Sequence, residues 1–229
     1  HADHLSAAHY LAGKLGARQG IGEKVLGVQD IWADLYADDS LRNRDDWWDR
    51  MFADGDSFEV GGLTVEVMLS TGHTMASVSY RVGDALFAHD TLMQPDSGSS
   101  RADFPGGSTE ELWETIQRIL SLPEETRVFI GHDYGGDGRD PACEATVGEH
   151  LERNKHVKAG TGKAEFVKLR DERDATLPLP DRSVEEPRPL PVKKIPFGSP
   201  PPERVLALVE REESPKTPLI DAVFLELEK

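Results

Sequence analysis

Four short stretches of the sequence carry side chains suited to holding a metal ion. His1, Asp3 and His4 open the chain. His73 lies in Thr71-Gly72-His73-Thr74, Asp90 in His89-Asp90-Thr91, and His132 in Gly131-His132-Asp133-Tyr134. Imidazole nitrogen and carboxylate oxygen together suit zinc or iron(II). Taken singly, each has an ordinary explanation: a histidine after a glycine is commonly a turn residue, and an acid before a helix suits the positive end of its dipole. What sets these residues apart is where they fall, since three of the stretches follow predicted strands and the first precedes a predicted helix. Ligands at the ends of rigid elements converge with little entropy left to lose. His89 is predicted to point to the opposite face of its strand from Asp90 and to play a structural part. His9, His150 and His156 have no such setting and are expected to be surface or helix residues.

The elements that position these residues follow from apolar periodicity. Leu5, Ala8, Leu11, Ala12 and Leu15 predict a helix ending at Gly16. A second is predicted over about 23–36, with Val25, Val28, Ile31, Trp32 and Leu35 on one face. Phe58 to Val60 and Leu63 to Leu69 flank Gly61-Gly62 as a hairpin, and Val78 to Val82 and Ala85 to Phe87 flank Gly83-Asp84 in the same way. Thr109 to Leu120 is a helix with a core face of Leu112, Trp113, Ile116, Ile119 and Leu120. Arg127 to Ile130 is a short buried strand, and helices are expected near 144–153 and 164–174.

The 229 residues carry 42 Asp and Glu against 26 Lys and Arg, a formal net charge of −16, which argues against nucleic acid as a partner. No apolar run approaches the roughly 20 residues that span a bilayer, so no membrane partner is expected either. The single cysteine, Cys143, excludes an internal disulfide and a thiolate cage, and points to a reducing, cytoplasmic setting. Eleven of the fifteen prolines fall from Pro178 onward. Regular helix or central strand is therefore not expected over 178–202, and a domain boundary is placed near 180. Residues 1–180 form the expected domain, and 181–229 a Pro-rich segment and tail with no assigned role. Opening on His1-Ala2-Asp3-His4 without a methionine, the chain reads as a piece of a longer protein.

The motifs together carry a family resemblance. His1-Ala2-Asp3-His4 resembles the last four positions of the His-x-His-x-Asp-His motif of the metallo-β-lactamase fold. Gly72-His73-Thr74, Asp90 and Gly131-His132 resemble its later metal motifs in the same order. The likeness narrows to the persulfide dioxygenase-like branch through several further segments: Ile21-Gly22-Glu23-Lys24-Val25, Phe52-Ala53-Asp54-Gly55-Asp56, His89-Asp90-Thr91-Leu92, Arg101-Ala102-Asp103-Phe104-Pro105-Gly106-Gly107 and His132-Asp133-Tyr134. It covers about residues 1–180.

This resemblance implies an α/β fold, an αββα sandwich with its first sheet incomplete in this chain and the metal at the edge of the sheets. It implies Fe(2+) as cofactor, with Zn(2+) as the alternative. His73 and Asp90 would be two of three iron ligands, the third being a histidine two positions before His1. His1, Asp3, His4, His73, Asp90 and His132 also make up a conceivable zinc site. The implied activity is oxidation of glutathione persulfide to sulfite and glutathione, with O2 as co-substrate. A glyoxalase II-like hydrolase acting on glutathione thioesters with two zinc ions is the second reading, and an inactive truncated relative the third. Arg101 is the candidate to pair with a substrate carboxylate or to brace the metal loop, with an ion pair to Asp103 or another acid as the competing reading. Tyr134 is expected on the open side of the metal, as a catalytic and substrate-binding residue, with a plain packed tyrosine as the competing reading. Asp133 is expected to orient loop amides or a histidine beside the metal ligands. A homodimer is the expected protein assembly.

Overall fold

Helix α1 (Ala8–Leu15) stops where predicted, at Gly16, whose φ of 64° is the left-handed conformation that closes a helix. Strand β1 (Gly20–Gly22), helix α2 (Val25–Tyr36) and strand β2 (Arg50–Phe52) follow, and β1 and β2 pair in parallel as a two-stranded sheet. Then come β3 (Ser57–Val60), β4 (Leu63–Leu69), β5 (Val78–Val82), β6 (Ala85–His89), α3 (Thr109–Leu120), β7 (Arg127–Ile130), β8 (Glu144–Thr146), α4 (Val147–Arg153) and α5 (Lys163–Asp174). A computed structural model describes His4 and residues 7–177 of the chain. The boundary expected near 180, the segment 181–229, His1 and Asp3 lie outside the described residues. Residues 7–177 make one unit and the fold below is theirs; His4 belongs to the other.

The strands β3 to β8 form one mixed sheet in sequence order. Both predicted hairpins are present. Gly61 and Gly62, with φ of 56° and 84°, place Val60 opposite Leu63, and Gly83 at 59° places Val82 opposite Ala85. Such turns match the twist of the strands they join. After β6 the chain crosses through α3 and returns as β7, parallel to β6. One consequence governs the site: β5 runs antiparallel to both β4 and β6, so β4, β6 and β7 all point the same way.

The sheet carries an apolar cluster on each face, while Phe87 of β6 is 46% exposed. On one, Leu86, Ala88 and Val128 pack with Leu112, Trp113, Ile116, Ile119 and Leu120 of α3, with Val147 and with Phe166 of α5. On the other, Val67 and Val78 pack with Phe52 of β2, joined by Phe58, Leu69 and Tyr80. This is the layering of an α/β sandwich. Helix α3 is the best-marked element in the sequence, and Ser108 caps it by accepting the Glu111 amide.

Three features differ from expectation. Strands β1 and β2 have only three residues each, too few to show a period. The helix expected from 144 begins at Val147, because Thr146 and Glu149 form a capping box there while 144–146 pair with β7. His150 and His156 are buried side chains rather than surface ones, at 0% and 6% exposure.

Candidate metal centre

Because β4, β6 and β7 share a direction, the segments that follow them meet at one edge of the sheet. His73 follows β4, Asp90 follows β6 and His132 follows β7. Asp90 Oδ2 lies 3.6 Å from His73 Nε2 and 3.5 Å from His132 Nε2. His73 and Asp90 are buried, while His132 is about one-third exposed.

Each side chain has a local device behind it. The turn before His73 lies against the first turns of α3. The Ser108 amide donates to Gly72 O at 2.8 Å and Thr115 Oγ1 to Thr71 O at 2.7 Å. Gly72 has a φ of 127°, and a Cβ there would stand 2.3 Å from the Leu112 Cα, so only glycine fits. His73 Nδ1 lies 2.7 Å from Arg101 O. A carbonyl only accepts, so Nδ1 carries the proton and Nε2 is left as the donor atom facing Asp90. Asp90 follows a bulge at 87–89 and a left-handed His89 (φ 37°), whose Nδ1 accepts the Asp90 amide at 2.6 Å. His89 thus bonds to the backbone beside the bulge.

His132 sits on a loop braced by ions. Asp133 accepts from the amides of Gly135 and Ala142, as predicted, and from both terminal nitrogens of Arg139. The Arg139 guanidinium also grips Asp96. Arg139 holds the Asp133 carboxyl far below the usual carboxylate range and lowers that of Asp96 as well. Gln94 Nε2 donates to Ala142 O and Glu144 O, both at 3.1 Å, closing the same loop. Arg139 and Gln94 were not legible in the sequence: neither lies in a periodic pattern or a ligand motif.

Of the remaining candidates, Tyr134 is 78% exposed, its ring stacked on His132 at 6.2 Å. The Arg101 guanidinium binds both oxygens of Asp103, at 2.6 and 2.5 Å, and lies 4.9 Å from the Phe104 ring centre. The ion pair that sequence gave as the competing reading is thus present. Phe104 stands edge-on to the His73 ring. His4 is exposed, in the other unit.

The donor set fits a metal cation. Two imidazole nitrogens approach a single buried carboxylate oxygen, and His73, with its proton committed to Arg101 O, turns a lone pair toward that negative charge. A positive ion resolves that juxtaposition, and nitrogen with oxygen donors is a set that zinc and iron(II) accept.

Residues 1–132 match the family model described as the metallo-beta-lactamase superfamily, and the chain belongs to that superfamily. It is 53% identical over 180 residues to a beta-lactamase hydrolase-like protein of Agrobacterium fabrum, covering 79% of this chain and 42% of that one. The chain thus spans about two-fifths of the length of that relative. It is 42% identical over 183 residues to Glyoxylase B2 of Dictyostelium discoideum, covering 79% and 63% of the two chains. The crystal structure of ETHE1 from Myxococcus xanthus superposes with a TM-score of 0.60 at 27% identity, over 78% of this chain and 68% of that one. Among the described residues, no helix is long and apolar enough to cross a membrane.

Proposed function

We propose that this chain is the catalytic part of a metalloenzyme that oxidises a small persulfide, with glutathione persulfide as the expected substrate and O2 as the oxidant, at a single iron(II). The observation that carries the reading is the meeting of His73 Nε2 and His132 Nε2 on Asp90 Oδ2, at strand ends whose flanking segments resemble the persulfide dioxygenase-like branch. His73 and Asp90 are the proposed iron ligands in this chain. His1, Asp3, His4 and His132 are the further donors that the motif resemblance assigns to the centre. Iron(II) held by such a set would supply one-electron redox chemistry for the reaction of a sulfur substrate with O2.

The chain's own groups do the rest. Arg101 O fixes the His73 tautomer, so that Nε2 is the donor. Phe104, edge-on to His73, limits water on that side of the ring. The exposed Tyr134 hydroxyl is the group proposed to meet the substrate and to donate a hydrogen bond to its sulfur. Arg101 takes a substrate carboxylate by exchanging it for the Asp103 carboxylate it now binds. The outer sulfur leaves as sulfite and the inner one as glutathione, with one O2 and one water consumed.

A second reading, hydrolysis of a glutathione thioester at two zinc ions, draws support from the same carboxylate. Asp90 Oδ2 lies within 3.6 Å of a nitrogen of each histidine, and these same residues could hold zinc instead of iron. Metal analysis of protein purified without added metal, with O2 uptake on glutathione persulfide, separates the two. About one iron per chain with O2 consumption supports the dioxygenase. Two zinc ions with thioester cleavage supports the hydrolase, and neither metal overturns both. His73→Ala and Asp90→Ala are each expected to abolish metal loading and turnover.

A further inference from the structure

Helix α5 carries a buried ion pair that has no part in the site as described. Arg170 and Asp174 are 2% and 6% exposed, and Arg170 Nη2 lies 2.5 Å from Asp174 Oδ1. A buried ion pair is expensive to desolvate, and an apolar pair of similar volume would hold a helix on a core at least as well. The bonds this pair makes outside the helix show what else it does. Arg170 Nη1 donates to Ser99 O at 3.1 Å, and Asp174 Oδ2 accepts the Ala102 amide at 2.9 Å. Two more buried side chains grip the same strip. Asn154 Nδ2 donates to Gly98 O, and His156 Nδ1 accepts the Ser99 amide. Four buried polar side chains thus hold residues 98–102, on both sides of Arg101.

The Ala102 N–H and the Arg101 C=O belong to one planar peptide group and point in opposite directions. Asp174 holds one end of that group, at 2.9 Å, and His73 Nδ1–H the other, at 2.7 Å. The order is carboxylate, peptide, imidazole. A carboxylate accepting the N–H polarises the peptide and makes its carbonyl a stronger acceptor. Metal-binding histidines commonly donate their second N–H to a carboxylate or a carbonyl, which orients the ring and raises its basicity. Here a carbonyl makes the contact, with a buried carboxylate behind it.

We propose that Asp174, held by Arg170, is a positioning residue for the metal centre, acting on His73 through the Arg101–Ala102 peptide group. The proposal rests on the reading of His73 as a metal ligand. Asp174→Asn removes the charge while keeping the side chain's shape. It leaves an amide that cannot accept from Arg170 and from the Ala102 N–H through both of its ends.

The test is cobalt(II) titration of the 229-residue chain, reading the dissociation constant and the visible ligand-field bands. Asp174→Asn is expected to weaken cobalt by about tenfold and to shift the bands. Asp171→Asn, one turn earlier on the same helix, removes a carboxylate charge but keeps an oxygen that can accept from Thr109 Oγ1, a bond that does not reach the 98–102 strip. It should leave cobalt binding unchanged. Equal affinity and bands in Asp174→Asn and wild type overturn the proposal, as does an equal loss in Asp171→Asn. Should Asp174→Asn not fold, zinc titration of the wild type decides by linkage: saturating zinc should slow exchange of the Ala102 amide, and an unchanged rate overturns the proposal. A wild-type chain that takes up neither metal sinks the metal-centre reading and this proposal with it. Uptake by the wild type with no effect of Asp174→Asn sinks the proposal alone.

Discussion

Arg139 Nη1 lies 2.6 Å from Asp133 Oδ2, and this pair braces the loop that carries His132. Asp133 is a buried acceptor with four bonds, two of them from loop amides. Asp133→Asn or Arg139→Met leaves a partner stranded. Each is expected to cost about 1–3 kcal/mol of stability and to lower metal content. Urea unfolding together with metal analysis checks both. The Asp133 carboxyl titrates far below its unfolded value of about 3.9, so its contribution is complete above that pH and is lost as pH falls toward the folded value. The difference in stability between wild type and Asp133→Asn should therefore shrink below about pH 4.

His150 and His156 predict a second loss of stability on acidification. Burial pushes both imidazoles down to about 4, helped at His156 by the charges of Arg170, Arg173 and Lys155. Both stay neutral in the fold while an unfolded histidine titrates near 6.5, so the unfolded chain binds more protons across that window. Stability should be complete above about pH 6.5 and fall toward pH 4, by roughly 3 kcal/mol for each histidine. Protonation of His156 Nδ1 would also break its bond to the Ser99 amide. Chemical unfolding at pH 7 and pH 4.5 measures the loss, and a flat profile would contradict the assignment.

Gly72→Ala is expected to be severe. The new Cβ would stand 2.3 Å from the backbone of α3, at a φ of 127° that side chains rarely adopt. Neither the loop nor the helix can yield without moving His73 or opening the core, and a cost of about 3 kcal/mol or more is expected. Gly61→Ala, with open space around it, should cost only the turn strain. Thermal unfolding of the two variants side by side reads the difference.

His89→Ala should keep its metal and lose about 1–2 kcal/mol, since alanine pays for the left-handed backbone without the bond to the Asp90 amide. His89→Gly should recover most of that stability, having no Cβ to strain. Loss of metal from a folded His89→Ala would show that the imidazole aims Asp90 and does more than support the bulge.

Much of this protein is written in its sequence. The apolar stripe of α3, the glycine turns of the two hairpins and the short β7 are local in origin, so periodicity and turn chemistry place them. Asp90, His73 and His132 were legible as candidates because their residue types and strand-end positions are local facts too. Only the tertiary structure decided that they meet, because their convergence depends on β5 running against β4 and β6 and on the crossover through α3 that sets β7 beside β6. The supports behind them were likewise out of reach. Arg139 is forty-three residues from Asp96, and Asp174 is seventy-two from Ala102. Hydrogen bonds across such separations form only once strand order has brought the segments together, and no local pattern announces them.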